Sequence, residues 1–362
     1  MNDFNILPTK SYDDLFHLSP DKNIDEEVEK LLKYYRVHGY PNYSESDYST
    51  EQELFKLISL NESELLQDKT IKQSMVGCGV LWKWFPHWCE VKCNGYKESL
   101  IELWNDDDKL RILLKKTYVY KLKRGQFTWD TNRIRQNAKV YLAKQTVSNF
   151  RPTVAKYIYN NFGNNGNVFD MSCGFGGRFF GFCASNCKKY VGCDPCTKTY
   201  NGLLNMSQEI SSFLKDKEYK FYHQGSEIFI PECENQFDLC FTSPPYFNTE
   251  KYSDEETQSW KKYKLYEDWS QGFLKDTIFN CWQYLKNEGY MIINIANTKK
   301  VIKLEEDTIK YAKEAGFRHL DTFYMELSSI AGEYKKMEPI FIFGKNKTEI
   351  NFNTKIIQET IF

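Results

Sequence analysis

The sequence predicts an α/β fold with a seven-stranded, mostly parallel sheet, preceded by a mainly helical N-terminal region. From residue 145 to about residue 315, short apolar runs of β-forming residues alternate with helical stretches. A glycine-rich turn at residues 173–178 separates the first of these runs from the helix that follows it. The last two runs, at residues 318–327 and 338–344, predict an antiparallel pair that finishes the sheet.

Composition limits the classes of function. At 362 residues the chain is long enough for one large domain and a smaller one. We predict an N-terminal region at residues 1–144, a larger α/β domain at 145–346 and a tail at 347–362. A net charge of −1 excludes attraction of the whole molecule to a polyanion, so a nucleic-acid surface has to be local. Eleven cysteines, without a signal peptide or an apolar run of about eighteen residues, predict a reducing, intracellular setting.

The N-terminal region begins acidic and becomes strongly basic. Helices are predicted at residues 25–35 and 51–66. Between Lys109 and Lys144, eleven lysines and arginines face a single acid, Asp130, among interleaved aromatic residues. This pattern is typical of phosphate contact with base stacking, although a solvated helix face balanced by the acidic N-terminal residues would look the same. The residues predicted to contact nucleic acid are Lys115, Lys116, Lys121, Lys123, Arg124, Arg133, Arg135 and, further along the chain, Tyr252.

Two groups of cysteines raise the question of a metal. His87, Cys89 and Cys93 lack a fourth ligand at regular spacing, and helix and strand placement separates the thiols around Cys193 and Cys196. We therefore predict packing residues and buried thiols in both places, and no metal.

The glycine-rich turn follows the first predicted strand of the sheet, at residues 168–172. A strand, a glycine turn and a helix form the nucleotide-cradling start of a Rossmann-like unit, in which the glycines allow a ligand to approach the backbone. Asp170 at the end of this strand can hold a charged or hydroxyl group. A second strand ends at Asp194, about twenty residues on, which is the spacing at which a carboxylate binds ribose hydroxyls.

The residues that follow the fourth predicted strand, at 237–241, are the most specific indication of function in the sequence. It ends at Thr242-Ser-Pro-Pro-Tyr246, where two prolines stop the strand and stiffen an exposed backbone. The Ser243 hydroxyl and the Pro244 carbonyl are adjacent hydrogen-bond acceptors, and Tyr246 is an aromatic platform. This set suits a planar heterocycle with an exocyclic amine, although a plain Pro-Pro turn after a strand is the alternative.

The remaining elements complete the alternation of strands and helices. A third strand is predicted at 219–224 and a fifth at 289–297, the latter after a lid-length polar loop at 247–263 and a helix at 265–285. A helix at 304–315, stopped by a glycine, leads to the final pair of strands. Helices between the first five strands predict that the sheet is mostly parallel.

Residues 145–345 resemble the class I methyltransferases that use S-adenosylmethionine, and more narrowly the DNA amino-methyltransferases of cytosine N4 or adenine N6. The glycine turn with Phe169-Asp170 resembles the cofactor loop of that family, and residues 148–152 resemble the segment that cups the methionine end. Residues 242–246 resemble its catalytic tetrapeptide, in the serine form that is more typical of cytosine-N4 enzymes. The arrangement also resembles the DNA methyltransferases of phages.

The resemblance implies the residues of a site. Catalysis is expected from Ser243, Pro244, Pro245 and Tyr246. Where the family often has an acid after the third strand, this chain has Gly225-Ser226-Glu227, in which Ser226 or Glu227 would substitute. The residues expected to bind S-adenosylmethionine are Phe150, Pro152, Asp170, Ser172, Gly174, Gly176, Asp194, Pro195, Ser226, Glu227 and Ser243.

The implied activity is methyl transfer from S-adenosylmethionine to an exocyclic base amine of DNA, with cytosine N4 favoured over adenine N6. The target base is expected to be flipped out of the duplex. We expect a cytoplasmic location in a prokaryotic or phage-infected cell, a role in restriction-modification, no membrane partner and no metal. Two alternatives stay open: an RNA or protein-glutamine amino-methyltransferase, and a non-catalytic nucleic-acid-binding module that acts through the basic stretch.

Overall fold

The computed structural model describes residues 17–72, 74–143, 145–327 and 336–350. Elements are numbered in chain order. The α-helices are α1 (Ile24–His38), α2 (Thr50–Ile58), α3 (Cys78–Leu81), α4 (Leu100–Asn105), α5 (Asp107–Leu122), α6 (Thr131–Tyr141), α7 (Pro152–Phe162), α8 (Gly177–Cys183), α9 (Thr197–Glu209), α10 (Ser259–Lys262), α11 (Tyr266–Trp269), α12 (Asp276–Tyr284) and α13 (Leu304–Ala315). The strands are β1 (Leu66–Gln67), β2 (Thr70–Ile71), β3 (Lys92–Cys93), β4 (Asn167–Asp170), β5 (Lys189–Cys193), β6 (Glu218–Tyr222), β7 (Phe237–Thr242), β8 (Glu250–Lys251), β9 (Leu285–Asn294), β10 (Arg318–Glu326) and β11 (Met337–Gly344).

By their contacts the described residues form two compact units. The smaller unit contains the described residues up to Ser49, Pro86–Ser148 and Glu250–Tyr252, and the larger unit contains Thr50–Phe85, Asn149–Thr249 and the described residues from Ser253 onward. The domain limits at residues 144 and 346 that composition suggests stay a prediction.

The smaller unit is mainly helical, as the sequence predicts. Helix α1 packs against α5, and α5 packs against α6. Tyr35 on the buried face of α1 accepts a hydrogen bond from Nε1 of Trp129 (2.8 Å) and meets the ring of Trp104 edge-on at 5.2 Å. Because these aromatic side chains are core residues, they are not available to stack on nucleic-acid bases.

The larger unit is built on a nine-stranded sheet in the order β1-β2-β10-β11-β9-β7-β4-β5-β6. The strands β6, β5, β4, β7 and β9 are parallel neighbours, whereas β11 is antiparallel to both β9 and β10. All seven predicted strands are present. The sheet is therefore the expected mostly parallel one, with its antiparallel pair formed by β10 and β11.

Four two-residue strands, β1, β2, β3 and β8, are not among the seven that the sequence predicts. The helix predicted at residues 51–66 is wrong in its second half. Helix α2 ends at Ile58, and β1 and β2 form a hairpin whose second strand pairs with β10, in parallel. The two turn residues, Asp68 and Lys69, have φ of 48° and 62°. This is the left-handed geometry of a two-residue hairpin turn. Such turns usually contain glycine, so the sequence Asp68-Lys69 did not indicate a turn here.

None of the described helices combines the length and apolar character that a membrane span requires. Over the ranges that the structure describes, no three His, Cys, Asp or Glu side chains come together as a group that could hold a metal ion. All eleven cysteines are buried thiols. His87, Cys89 and Cys93 lie buried in the smaller unit, where Sγ of Cys89 contacts the Pro86 carbonyl at 3.1 Å.

Candidate active site

The predicted site residues follow strands that end at one edge of the sheet. Because β6, β5, β4 and β7 are parallel neighbours, their carboxyl ends lie at the same edge. Asp170 is the last residue of β4, Asp194 follows β5, and Ser243 follows β7. The chain leaves β4 toward β5 and β6 on one side and returns on the other side at β7, and such a reversal is where open α/β sheets bind ligands.

The turn between β4 and α8 has one packed side and one open side. Gly174 and Gly176 have φ of 55° and 71°, in the left-handed region that favours glycine. A Cβ at Gly176 would come within 3.0 Å of the Phe85 ring and 2.9 Å of the Met206 sulfur. At Gly174, by contrast, the nearest atom to a Cβ would be the Ser172 carbonyl oxygen, 3.9 Å away. The open side leaves room for a ligand to lie against the backbone.

Asp194 is tied directly to this turn. Its carboxylate accepts hydrogen bonds from the backbone N–H groups of Gly174 (2.9 Å) and Cys196 (3.0 Å). Burial raises the pKa of Asp194 to about 7, although both N–H donors act in the opposite direction. The half-buried Pro195 follows it. Asp194 therefore changes its charge near neutral pH.

The other residues predicted around the turn differ in exposure. Asp170 is completely buried and forms an ion pair with Arg178, whose Nε lies 2.9 Å from the carboxylate. Ser172 is half-buried and donates its backbone N–H to Asp170 (3.1 Å). The ring of Phe150 is half-buried beneath the Arg178 guanidinium at 5.2 Å, and Pro152 is buried in the first turn of α7.

Ser226 and Glu227, which follow β6 where the family often has an acid, differ in their hydrogen-bond partners. Ser226 is buried, and its hydroxyl shares a hydrogen bond with that of Thr277 (2.8 Å). Glu227 forms an ion pair with Lys262 through Oε1 (2.5 Å). Its other oxygen, Oε2, is buried and has no hydrogen-bond partner in the described structure. Glu227 therefore retains a buried acceptor atom that no described residue uses.

The two acceptors predicted after β7 are not used by the rest of the described chain. Ser243 is half-buried and Pro244 is buried. Within the residues that the structure describes, neither the Ser243 hydroxyl nor the Pro244 carbonyl takes part in a hydrogen bond. A half-buried hydroxyl and a neighbouring carbonyl that lack protein partners are suited to an external donor.

The backbone after these acceptors is held by aromatic packing. The half-buried Tyr246 directs its hydroxyl to the Asn294 carbonyl and to the Glu338 carboxylate, both at 3.5 Å. Phe247 has φ of 58°, a strained value for a bulky side chain. Its ring is buried against that of Trp269, 5.7 Å away. This anchor keeps the tight turn in place, while Pro245 remains half-buried at its start.

The loop that follows β7 returns to the start of α9. Glu255 accepts hydrogen bonds from the backbone N–H (3.1 Å) and the hydroxyl (3.0 Å) of Thr197. Thr257 donates its hydroxyl to the Pro195 carbonyl (2.9 Å). The sequence predicted a lid-length loop, and these bonds attach its second half beside Asp194.

In the smaller unit, the residues predicted to contact nucleic acid divide into neutralised and exposed cations. Lys121 and Arg135 are 3% and 1% exposed, and their charges are balanced by Asp130 and Asp47. Lys115 is exposed but lies 2.6 Å from Asp25. The pairs with Asp25 and Asp47 agree with the alternative interpretation, in which acidic residues near the N-terminus balance the charge of the basic helices.

Another group of these cations is associated with aromatic rings. Arg124 and Arg133 lie over the ring of Tyr120 at 4.5 and 4.9 Å, and the amine of Lys116 lies 5.0 Å from the ring of Tyr141. Lys116, Lys123 and Arg124 are exposed. Tyr252 is half-buried and donates its hydroxyl to Glu250, while Lys144 lies outside the described residues. We call Lys116, Lys123, Arg124 and Arg133 the basic–aromatic face.

Residues 237–361 match the model of a family described as DNA methylase, the N6/N4 methyltransferases. The match starts at the first residue of β7 and includes residues 242–246. No curated protein matches the sequence. The narrower resemblance to phage enzymes stays a prediction.

Several solved structures are similar to the chain at low identity. The magnesium protoporphyrin IX methyltransferase of Synechocystis PCC 6803, with bound SAM, is 15% identical over 53% of this chain and 76% of its own, with a TM-score of 0.36. TYW2 of M. jannaschii, in complex with AdoMet, is 14% identical over 54% of this chain and 74% of its own, with a TM-score of 0.34. At these scores the likeness supports no conclusion, and the fold class follows from the strand order of the chain itself.

The family match and the sheet agree on the same edge of the molecule. The matched segment includes β7 and the acceptors that follow it, and the glycine turn, bonded to Asp194, lies at the same edge of the sheet. The enzymes of this family take their methyl group from S-adenosylmethionine. By sequence, the chain is similar to the S-adenosylmethionine-dependent N6/N4 methyltransferases over residues 237–361, from the start of β7 onward.

Proposed function

We propose that the chain methylates an exocyclic amino group of a base in DNA, with cytosine N4 favoured over adenine N6. The observation that carries the proposal is the pair of unengaged acceptors, the Ser243 hydroxyl and the Pro244 carbonyl, within the described part of the chain. They follow β7 at the same sheet edge as Asp194 and the glycine turn. The serine in place of an aspartate favours cytosine, because that form is more typical of cytosine-N4 enzymes.

The mechanism follows from what the two acceptors do to an amine. An exocyclic amine is a poor nucleophile because its lone pair is delocalised into the ring. When Ser243 and Pro244 accept its two hydrogens, they favour a pyramidal nitrogen with an available lone pair and stabilise the positive charge that develops. The chain itself forms no covalent bond to the base. A paired base cannot reach these acceptors, so flipping is required, with Tyr246 as the stacking platform.

The residues around the glycine turn fit the cofactor. When bound, S-adenosylmethionine supplies an electrophilic methyl group. The open side of Gly174 would accommodate it, and the Asp194 carboxylate would accept the ribose hydroxyls. The unpartnered Oε2 of Glu227 would accept a hydrogen bond from the adenine amino group, while Phe150 would cover the methionine end.

Mass spectrometry of nucleosides tests this function. DNA, tRNA and a protein mixture are each incubated with the chain and isotope-labelled cofactor, and the products are hydrolysed to nucleosides or amino acids. We expect the label in DNA as N4-methylcytosine. Label in N6-methyladenine would correct the base, and label in RNA or in glutamine would replace DNA as the substrate. Cofactor binding without transfer to any of the three would favour a non-catalytic module.

The basic–aromatic face is our proposal for part of the phosphate contact, since exposed cations beside aromatic rings suit a nucleic-acid backbone. Replacing Lys123 and Arg124 with alanine is expected to reduce the slope of log K against log salt concentration by about 2, because two fewer counterions are released. Fluorescence anisotropy with labelled duplex DNA measures this slope.

The matched control removes two cations that are already paired. Arg111 lies 2.7 Å from Glu29 and Lys115 lies 2.6 Å from Asp25. Alanine at both positions is expected to change the slope much less, because these charges are balanced within the protein. Equal salt slopes for the two double variants would show that the basic–aromatic face does not contact DNA.

Asp194 gives cofactor binding a pH dependence. Its pKa of about 7 means that much of the carboxyl is protonated at pH 6, and only the ionised form accepts both ribose hydroxyls. Affinity for S-adenosylmethionine is therefore expected to rise by about tenfold from pH 6 to pH 8, and to level off above the pKa. Isothermal titration calorimetry of the wild type and Asp194→Asn measures this. The variant should bind more weakly and without that dependence; a variant with the wild-type slope would assign the dependence to another group.

A further inference from the structure

The buried carboxylate of Asp170 joins the cofactor turn to the strand that carries the acceptors. Its Oδ1 accepts hydrogen bonds from the Ser172 backbone N–H (3.1 Å) and the Thr242 hydroxyl (3.1 Å). Its Oδ2 accepts from Nε of Arg178 (2.9 Å) and from the Tyr190 hydroxyl (2.6 Å). Two donors on each oxygen use the acceptor capacity of a carboxylate, so Asp170 has nothing left for a ligand. Its effect on cofactor and base is therefore indirect.

The donors belong to different parts of the site. Ser172 and Arg178 lie at the two ends of the glycine turn, and Arg178 also donates to the Ser172 carbonyl, which closes the turn on itself. Thr242 is the last residue of β7 and directly precedes Ser243. Tyr190 on β5 supports the carboxylate from the neighbouring strand. One buried anion thus touches both the segment that holds the cofactor and the residue before the acceptor serine.

Burial makes these contacts rigid. Asp170 and Tyr190 are 0% exposed, Thr242 is 1% and Arg178 is 3% exposed. Burial also raises the pKa of Tyr190 far above its usual value, with Asp170 acting in the same direction, so its hydroxyl remains a donor. A charged, fully satisfied network in a low-dielectric interior has strong hydrogen bonds and few alternative arrangements.

We propose that Thr242 and Arg178 are positioning residues that act through Asp170: Thr242 fixes the Ser243 acceptor relative to the turn, and Arg178 keeps the turn in its cofactor-binding shape. The inference rests on the proposed methylation of a base amine and adds the coupling between its two halves. Neither side chain touches the base. Thr242 affects the rate because the geometry of methyl transfer tolerates little displacement, and a misplacement of about 1 Å costs about 10²-fold in rate.

Single-turnover kinetics and calorimetry test the two roles separately. Thr242→Val keeps the shape of the side chain and removes its hydroxyl. It is expected to lower the rate constant of methyl transfer by about ten- to hundredfold, with the dissociation constant of S-adenosylmethionine changed less than threefold. Thr242→Ser restores the hydroxyl and should recover most of the rate. Arg178→Gln should weaken cofactor binding by about tenfold or more, since the turn loses its charge-assisted bond to Asp170.

The outcomes distinguish a positioning role of Thr242 and Arg178 from a purely structural one. They also distinguish a failure of this inference from a failure of the proposed function. A folded Thr242→Val with the wild-type rate, or a Thr242→Ser as slow as the valine variant, would overturn the role of Thr242. If the valine variant does not fold, Thr242→Ala carries the same expectation. Unchanged cofactor affinity in Arg178→Gln would overturn the role of Arg178. Should the wild type methylate RNA or protein instead of DNA, the proposed substrate fails and the same comparisons are made on the substrate found.

Discussion

Ser243→Ala is expected to lower the rate of methyl transfer by about 10²–10³-fold without changing the affinity for S-adenosylmethionine by more than a fewfold. The magnitude is that of removing one preorganised hydrogen-bonding group from a site where charge develops. Alanine leaves the Pro244 carbonyl as the single acceptor, so the amine keeps one hydrogen directed away from the site. The hydroxyl has no partner among the described residues, and its loss should leave stability unchanged.

Single-turnover assays on duplex DNA measure the rate, with calorimetry and thermal unfolding on the same sample. Ser212→Ala is the matched control, because Ser212 is an exposed serine that precedes β6, away from the carboxyl ends of the strands. It should behave as the wild type. Full activity in Ser243→Ala would remove the serine from the mechanism and leave the peptide carbonyl to act alone.

Tyr246→Ala is expected to lower turnover on duplex DNA by about ten- to hundredfold, which corresponds to the loss of about 1–3 kcal/mol of stacking on a flipped base. The side chain is half-buried and its hydroxyl is held by Asn294 and Glu338. Its ring is thereby fixed in position before the base arrives, so little side-chain entropy is lost when the base stacks.

Tyr246→Phe separates the ring from its hydroxyl. It retains the stacking surface and gives up the two long contacts of 3.5 Å, so it should keep most of the activity. Steady-state assays on duplex and single-stranded DNA measure both variants. An alanine variant as active as the wild type on duplex DNA would show that the base is held without this ring.

The central sheet could be predicted because its local signals agree with one another. The helix predicted at 304–315 matches α13 residue for residue, since its apolar face is periodic and Gly316 stops it with φ of 107°. The strand of residues 237–241 is buried and is ended by two prolines. The hairpin of β1 and β2 could not be found in the same way, because Asp68-Lys69 carries no turn signal that local reasoning recognises.

The site residues that belong to a recognisable sequence motif could be predicted. Asp194 and Ser243 stand at recognisable spacings after strands, and the structure sets both at the expected sheet edge. Thr242 and Arg178 belong to the same motifs, yet a threonine that ends a buried strand looks the same whether it packs or bonds to a carboxylate. The sequence also could not show which cations of the basic helices are paired with an acid. Asp47, the partner of Arg135, lies 88 positions away in the chain.

The hairpin of β1 and β2 has a consequence for how molecules of this protein meet in solution. Without it, the nine residues of β10 would present an uncovered row of backbone groups, which is a template for association between sheets. The hairpin covers Tyr324 and Met325 of β10, and its outer strand, β1, is only two residues long. The opposite border, β6, displays the charged side chains of Glu218 and Lys220 to solvent. The charged side chains on β6 and the short hairpin beside β10 both disfavour pairing with a strand of another chain at those positions.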